Sequence, residues 1–204
     1  MEPASPAGAN ALMADKPASP DEIHLLAEVL DSEGVPYAFI GGVAMGVWGV
    51  PRSTFDLDVA VPDSEADLSR VLAAMSTQGW VVDPIFERGF RDRLAGMDKI
   101  QVQLPVQATL LTADIFLGTT GFLRSVIDRR LPIDLGHGPI SVCTPADLIL
   151  LKLIAGRRKD QLDVENVLAV QGIPEREYLE RWAAELGVRD RLDAILAGGG
   201  STGR

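Results

Sequence analysis

The sequence predicts a fold with both helices and strands, of class α/β (α+β). Strands and helices form one core, and the chain after this core is predicted to be helical. A short apolar run at residues 37–40 ends at Gly41-Gly42, and a helix pattern of small residues follows at 43–50. A second extended run then covers residues 52–61, so strand, glycine turn, helix and strand succeed one another. From residue 144 onward the patterns are helical and predict a C-terminal helical extension.

The chain is predicted to form one core between two tails. Residues 1–18 are rich in Pro, Ala, Ser and Gly, and they are predicted to be a disordered or artificial tail. The core is predicted to cover residues 19–143, and a helical C-terminal part at 144–197 is expected to pack on it. Residues 198–204 are predicted to be a flexible tail.

The other elements follow from capping residues, periodicity and turn residues. Ser19 and Glu22 form a capping box that begins a helix through Leu30. Residues 86–97 are polar and basic with two glycines, and they are predicted to form a loop over the edge of the active site. The remaining predicted elements are a helix at 64–78, strands at 80–82, 99–104 and 107–117 with an interruption at Pro105, a helix at 121–130, a strand at 140–143, and closing helices at 174–186 and 189–196.

The strongest functional signal lies in the run at residues 52–61. At the period of a strand, one face carries Arg52, Thr54, Asp56 and Asp58, and the other carries Phe55, Leu57, Val59 and Val61. The two carboxylates repel each other, which favours a bound cation or an upward pKa shift. Mg²⁺ suits such a pair, since it is usually held by one or two carboxylates and by substrate phosphate oxygens.

The glycine pair before this run predicts a phosphate site. Gly41 and Gly42 let the backbone approach a ligand closely, because they have no side chain. The helix that follows offers unpaired N–H groups and the positive end of its dipole to an anion. Together with the carboxylates, the pair predicts a site for a nucleotide and a divalent metal.

This arrangement resembles the signature of the nucleotidyltransferase superfamily, which has a DNA polymerase β-like fold. Gly41-Gly42 is followed, after thirteen residues, by Asp56-Leu57-Asp58. The fuller string, with Arg52 and Thr54, is most similar to a small bacterial branch that includes AbiEii-like abortive-infection toxins and antibiotic nucleotidyltransferases. The resemblance implies a mixed β-sheet flanked by helices. Many members of the superfamily have Ser at the position of Gly42.

The superfamily also needs a third carboxylate on a neighbouring strand, and Asp114 is the candidate. It is the only acidic residue between Gln101 and Phe122. A carboxylate in such a segment is costly to bury alone, so it should be paired, metal-bound or at a sheet end. Beside Asp56 and Asp58 it would complete a cluster for two ions about 3.5–4 Å apart. The alternative is a capping or turn aspartate.

A second block of interest begins at residue 144. Thr144 and Pro145 predict a helix N-terminus, with a side-chain cap and Pro at the first position. If the helix is continuous, Lys152, Lys159 and Asp163 lie within about 40° of one another around its axis. Gly156 is a point at which it can bend or break.

The string Lys159-Asp160-x-x-Asp163 resembles the second motif of the AbiEii-like branch, which lies on a helix packed over the nucleotide site. By that resemblance, Lys152 or Lys159 contacts the triphosphate, and Asp160 or Asp163 orients the lysine or approaches the acceptor. The alternative is a weak i,i+4 surface pair of Lys and Asp.

The resemblance implies transfer of a nucleoside monophosphate from an NTP to an acceptor, with release of pyrophosphate. Mg²⁺ or Mn²⁺ is the implied cofactor, and Asp114 would act as its ligand or as a general base. The implied catalytic and metal-binding residues are Asp56, Asp58 and Asp114, and the implied nucleotide-binding residues are Gly41, Gly42, Arg52, Thr54, Lys152 and Lys159.

Composition restricts the classes of partner. The net charge of −10, from 19 basic and 29 acidic residues, argues against broad DNA binding. An acidic surface would suit a cationic small acceptor, although a local patch for RNA stays possible. The single Cys143 excludes an internal disulfide framework and is typical of a reducing cytoplasm. No membrane-length apolar run or signal peptide is found, so a cytoplasmic protein is predicted.

Two other functions stay open from the sequence. One is a toxin of a toxin–antitoxin pair that acts on tRNA or protein and has an antitoxin partner. The other is a non-enzymatic nucleotide-binding or regulatory module of the same fold, against which the intact Asp56, Asp58 and Asp114 argue. The acceptor could be a small molecule, tRNA or protein, and the sequence does not choose among them.

Overall fold

The protein is represented by a computed structural model that describes residues 18–50, 53–87, 91–106 and 109–198. Its helices are α1 Pro20–Ser32, α2 Gly41–Trp48, α3 Glu65–Thr77, α4 Pro84–Glu87, α5 Gly121–Asp128, α6 Pro145–Ala155, α7 Arg158–Gln171, α8 Arg176–Glu185 and α9 Arg189–Gly198. Its strands are β1 Ala38–Phe39, β2 Asp56–Pro62, β3 Val81–Val82, β4 Asp92–Leu94, β5 Met97–Val106, β6 Thr109–Gly118, β7 Leu131–Asp134 and β8 Pro139–Val142.

The strands described form one mixed sheet, as predicted. Their order is β3-β5-β6-β2-β1-β8-β7, and β4 pairs with β5. The pairs β2–β6 and β1–β8 are parallel, whereas the other pairs are antiparallel. The two strands that carry acidic residues of the predicted site, β2 and β6, are therefore direct neighbours in the middle of the sheet.

Local signals explain where several helices begin. The Ser19 amide donates a 2.7 Å hydrogen bond to Glu22, and the Ser19 hydroxyl accepts one from the Glu22 amide, so the predicted capping box is present. Ile23, Leu26 and Leu30 are buried, as the stripe of α1 requires. Thr144 caps α6 through its side chain, again as predicted.

The strand β5 corrects the predicted interruption at Pro105. It continues to Val106, and Pro105 pairs with Leu110 of β6. The pairing of β5 with β3 ends at Gln103, so no described strand lies beside Pro105 on the other side. A proline that lacks an N–H is tolerated there, because an edge position needs no donor toward a second neighbour.

The prediction of a loop at residues 86–97 is also wrong in part. The segment contains the end of α4 and all of β4, which forms a hairpin with β5. The turn is Ala95-Gly96, with φ of 51° and 80°, and positive φ at both central residues is typical of a type I′ turn. Ala95 is a non-glycine residue in this region, which hides the turn from simple sequence patterns.

Three smaller differences concern the elements around the site. The glycine pair does not precede its helix, since α2 begins at Gly41 itself. Phe55 was expected on the buried face of a strand, but β2 begins at Asp56 and Phe55 is 46% exposed. The strand β7 was not predicted, because it is only four residues long and Pro132 weakens its pattern.

The helical block after residue 144 is broken. Gly156 ends α6 in the left-handed region, at φ 65°, and α7 begins at Arg158. The predicted alignment of Lys152, Lys159 and Asp163 on one helix face required a continuous helix, so it does not hold. Within the described ranges, none of the helices combines the length and apolar character that crossing a bilayer requires. Most of both predicted tails lies outside the described residues.

Candidate active site

The carboxylates predicted on two strands lie side by side in the sheet. In the parallel register of β2 and β6, Asp58 is opposite Asp114 and Asp56 is opposite Thr112. Asp56 is exposed, Asp58 is half-buried, and Asp114 is 9% exposed. Since side chains in register on adjacent parallel strands point to the same face, Asp58 and Asp114 share one face of the sheet.

The surroundings of Asp58 favour its neutral form. Its pKa is raised to about 6, first because burial removes water from the carboxylate, and then because Asp114 and Asp56 carry the same charge. A hydrogen bond from the Gly42 amide and the positive charge of Lys152 lower the pKa in part. A cation bound at this position would relieve the repulsion that raises the pKa.

The glycine pair is required by close packing on these residues. Gly41 has φ 54°, and a Cβ atom there would lie 1.9 Å from Oδ2 of Asp58. A Cβ atom on Gly42 would lie 2.2 Å from Oγ1 of Thr54, whose hydroxyl donates a 2.8 Å hydrogen bond to the carbonyl of Asp56. Any side chain at Gly41 or Gly42 would therefore displace part of the site.

Asp114 has two partners on β5 that the sequence interpretation missed. Lys99 Nζ lies 2.6 Å from Oδ2 of Asp114, and Gln101 Nε2 donates a 3.0 Å hydrogen bond to Oδ1. Lys99 is 8% exposed, so this is a buried ion pair. Asp114 is thus paired, which is one of the arrangements expected for it. A signal was present, since Lys99 and Gln101 alternate with the apolar Ile100 and Val102.

The second block forms a compact ionic cluster across the break between α6 and α7. Lys152 Nζ lies 2.6 Å from Oδ2 of Asp163 and 3.3 Å from Oδ1 of Asp160. Arg157 donates to Asp160 from its amide at 3.1 Å and from Nε at 2.7 Å. The guanidinium and ammonium groups hold the pKa of Asp160 below its usual value, against the effect of burial. Both aspartates therefore orient Lys152.

A cleft of about 70 Å³ joins the two clusters. Asp58 and Gly41 line one side of it, and Lys152 and Arg157 line another. Its apolar wall includes residues from the β4–β5 hairpin and from α6, namely Leu94, Ala95, Met97, Leu148, Leu151 and Ala155. The hairpin therefore lies at the edge of the site, the position expected for the segment at residues 86–97.

Of the predicted nucleotide-binding residues, Gly41 and Lys152 line this cleft, whereas Gly42 and Thr54 lie behind Asp58 and Asp56 and do not line it. Lys159 is exposed on α7 and does not line it, because the break at Gly156 turns α7 away from the axis of α6. Arg52 lies outside the described residues. Arg157, by contrast, lines the cleft, although the sequence interpretation did not select it.

The residues fit a divalent cation at one position better than at two. Asp56 and Asp58 offer hard carboxylate oxygens. The like charges of Asp56 and Asp114 destabilise the carboxylate of Asp58, and a bound cation would offset this repulsion. Across the described ranges, no group of three or more His, Cys, Asp or Glu side chains is arranged to hold a metal ion. Both oxygens of Asp114 already accept hydrogen bonds, so Asp114 is not assigned to the cation site that Asp56 and Asp58 form.

No family model matches the chain, and no curated protein sequence matches it either. Among solved structures, it is similar to an antigenic nucleotidyltransferase-like protein from Paracoccidioides brasiliensis, with 18% identity and a TM-score of 0.53 over 89% of this chain and 95% of that one. It is also similar to the lincosamide antibiotic adenylyltransferase LnuA in its lincomycin-bound form, with 13% identity and a TM-score of 0.55 over 76% of this chain and 100% of that one.

A third similar structure is ANT(2")-Ia in complex with adenylyl-2"-tobramycin, with 14% identity and a TM-score of 0.51 over 82% of this chain and 95% of that one. At such identities the likeness shows the fold alone. The chain has the nucleotidyltransferase fold, and the prediction made from Gly41-Gly42 and Asp56-Leu57-Asp58 is confirmed at that level. The resemblance to the AbiEii-like branch stays a prediction.

Proposed function

We propose that this protein, which has the nucleotidyltransferase fold, transfers a nucleoside monophosphate from an NTP to an acceptor and releases pyrophosphate. One observation carries the proposal. Asp56 and Asp58 on β2 lie beside Asp114 on β6, and Gly41 packs against Asp58 at the beginning of α2. This arrangement places carboxylates and a helix N-terminus together, as a metal-bound triphosphate requires.

Asp56 and Asp58 are the residues that would hold Mg²⁺ or Mn²⁺. When bound, the cation would supply charge neutralisation for the triphosphate and for the leaving pyrophosphate. The raised pKa of Asp58 supports this assignment, because a carboxylate that is destabilised alone gains most from a nearby cation. Thr54 supports the pair indirectly, since its hydroxyl donates to the carbonyl of Asp56.

Asp114 would accept the proton of the acceptor's nucleophilic group. That group attacks the α-phosphorus, the bond from this phosphorus to the oxygen that bridges to the β-phosphorus breaks, and pyrophosphate departs with the bonding electrons. Oδ2 of Asp114 accepts a hydrogen bond from Lys99 and Oδ1 accepts one from Gln101, and the carboxylate keeps further lone pairs. Positioning and electrostatics would supply the catalysis, without a covalent enzyme intermediate.

Lys152 and Arg157 would bind the negative charge of the triphosphate on the other side of the cleft. Lys152 is held in place by Asp160 and Asp163, so it is already oriented before the substrate binds. Gly41 would offer its backbone to a phosphate, as the sequence predicts. Gly42 has a smaller part, because its amide already donates to Asp58. Lys159 is exposed and Arg52 lies outside the described residues, so their predicted contacts with nucleotide stay predictions.

The proposal is tested by the stabilisation that each NTP gives, with and without Mg²⁺. A ligand at 100 times its Kd raises the free energy of unfolding by about 2.7 kcal/mol, which a thermal shift detects. We expect this gain for at least one NTP in the wild type with Mg²⁺, and we expect it to be lost in Asp56→Asn/Asp58→Asn. Each variant is compared with its own ligand-free form, since the substitutions also change the intrinsic stability.

The matched control is Asp63→Asn, which removes an exposed carboxylate just beyond β2. It should keep the full response to NTP and Mg²⁺. If no NTP stabilises the wild type, the proposed transferase activity is wrong. If NTP stabilises it equally with and without Mg²⁺ and no pyrophosphate is released in the presence of candidate acceptors, the non-enzymatic nucleotide-binding module takes its place.

The acceptor stays the open part of the proposal. The predicted toxin activity on tRNA or protein is tested by expression in cells, where growth arrest that Asp58→Asn removes would support it. Normal growth on expression of the wild type would instead favour a small-molecule acceptor. The antitoxin partner and the cytoplasmic location stay predictions.

A further inference from the structure

We propose that the active site binds one divalent cation rather than two, because the ammonium group of Lys99 supplies the positive charge that a second cation would bring to Asp114. The inference rests on the proposed function. It concerns the surroundings of Asp114. The sequence predicts that Asp114 helps to bind a second ion, whereas in the structure Asp114 pairs with Lys99.

Both oxygens of Asp114 are engaged by protein donors. Lys99 Nζ lies 2.6 Å from Oδ2, and Gln101 Nε2 lies 3.0 Å from Oδ1. The side chains of Lys99 and Asp114 are only 10% and 12% exposed. An ion coordinated by Oδ2 of Asp114 would share that oxygen with the ammonium group of Lys99, and the two positive charges would repel each other in a site with little water.

The backbone register holds Lys99 in this position. Gln101 is directly opposite Asp114 in the β5–β6 ladder, and Lys99 is opposite Phe116, one step further along the same face. Ile100 and Val102 alternate with them and are fully buried on the other face. A change of strand register that moved Lys99 to the other face would therefore bring Ile100 and Val102 out of the core. The burial of both side chains also distinguishes this pair from a flexible surface ion pair.

The charges around Asp114 oppose an ion at the same position. The ammonium group of Lys99 lies 2.6 Å from Oδ2 of Asp114 and 3.9 Å from Oδ2 of Asp92. A divalent cation coordinated by Asp114 would therefore lie close to a buried positive charge, which repels it.

The experiment counts Mn²⁺ ions bound to each chain. The protein is mixed with an equimolar amount of the α,β-methylene analogue of the NTP that gives the largest thermal shift, and Mn²⁺ is titrated while its free concentration is followed by electron paramagnetic resonance. We expect one bound Mn²⁺ per chain for the wild type. We expect close to two for Lys99→Gln, because the position beside Asp114 then becomes available to an ion.

Arg70→Gln is the matched control. It removes one positive charge from α3, where Arg70 pairs with Asp67 and Glu33. It should bind one Mn²⁺ with the wild-type affinity, so a change in Lys99→Gln cannot come from total charge alone. If Lys99→Gln does not fold, the count for the wild type still decides between one ion and two, and two would overturn the inference.

The outcomes separate the inference from the proposed function. Two Mn²⁺ ions of similar affinity in the wild type would overturn the inference and leave the transferase proposal standing. One ion in both the wild type and a folded Lys99→Gln would overturn the assignment to Lys99. An absence of any bound Mn²⁺ or nucleotide would overturn the proposed function and the inference with it.

Discussion

Asp58 is destabilised as a carboxylate by the same surroundings that suit it to a cation. Without metal, its pKa rises from 3.8 to about 6 on folding, chiefly because of burial and the nearby Asp114. The folded chain then holds the proton more tightly than the unfolded chain does. The free energy of unfolding therefore falls as the pH rises from about 4 to 6, and the deficit at neutral pH is at most about 3 kcal/mol.

Asp58→Asn should accordingly stabilise the metal-free protein at neutral pH, by about 1–3 kcal/mol. The gain should shrink toward zero as the pH falls to about 4, because the wild-type carboxyl is then neutral too. Urea unfolding in the presence of a chelator at several pH values measures this. Asp63→Asn is the control, and an equal gain at both ends of the range would contradict the electrostatic cause.

Thr54 packs so closely on Gly42 that it leaves no room for a side chain there. A Cβ atom at Gly42 would lie 2.2 Å from Thr54 Oγ1 and 2.6 Å from its Cβ. Gly42→Ala should lower the free energy of unfolding by about 1–3 kcal/mol, and the cost should be smaller in a Thr54→Gly background. The crowding at Thr54 also suggests why this chain has Gly where many members of the superfamily have Ser.

The control for Gly42→Ala lies in the same helix. Gly46 has open space where a Cβ atom would be, so Gly46→Ala should leave stability unchanged or raise it by about 0.5–1 kcal/mol. Thermal or urea unfolding of both variants measures the difference. Equal effects at Gly42 and Gly46 would mean that Thr54 does not restrict the site.

At the scale of elements, the break between α6 and α7 decides which charged residues reach the cleft. Gly156 has φ 65°, and a Cβ atom there would lie 2.2 Å from Nη1 of Arg191, which itself donates a 2.6 Å hydrogen bond to the carbonyl of Leu153. The break therefore allows α7 to fold back, so that Asp160 and Asp163 meet Lys152.

Gly156→Ala should destabilise the protein by about 1 kcal/mol or more, since it adds both backbone strain and a clash with Arg191. Gly34→Ala is the matched control, because Gly34 has the same φ of 65° but open space around the position of a Cβ atom. The excess cost at Gly156, measured by urea unfolding, should fall in an Arg191→Ala background. Equal costs at Gly34 and Gly156 would contradict a contribution from Arg191.

At the scale of the whole molecule, one buried carboxylate connects three helices. Asp147 in α6 is fully buried, which raises its pKa, and it accepts hydrogen bonds from Tyr178 in α8 at 2.6 Å and from Thr144 at 2.7 Å. Arg129, just after α5, lies over the Tyr178 ring at 3.8 Å. The network fixes the C-terminal helices against the part of the chain that carries the sheet.

Tyr178→Phe should lower the free energy of unfolding by about 1–3 kcal/mol, because buried Asp147 then loses its shortest hydrogen bond. Ser125→Ala is the control, since its hydroxyl contacts the Tyr178 hydroxyl at 3.2 Å but does not reach the carboxylate. Urea unfolding should show a clearly smaller effect for Ser125→Ala. Equal effects would mean that the Asp147 contact is not what holds α8.

The sequence by itself determined the features that depend on neighbouring residues. Gly41-Gly42 and Asp56-Leu57-Asp58 were sufficient to predict the nucleotidyltransferase fold, and the capping residues Ser19 and Thr144 located two helix N-termini. These signals are readable because a cap or a strand period involves residues only a few positions apart. The proximity of Asp58 and Asp114 needed one further assumption, that β2 and β6 are neighbours.

Only the tertiary structure decided which charges meet. The pairing of Lys99 with Asp114 follows from the register of β5 on β6, and the contacts of Lys152 with Asp160 and Asp163 follow from the break at Gly156. An ion pair is formed by groups that the fold brings together, and a change of one residue in a strand register would reverse the face on which a side chain lies. Local patterns therefore predict the types of residue in this site, whereas strand register and the reversal of the chain at Gly156 determine which charged groups pair.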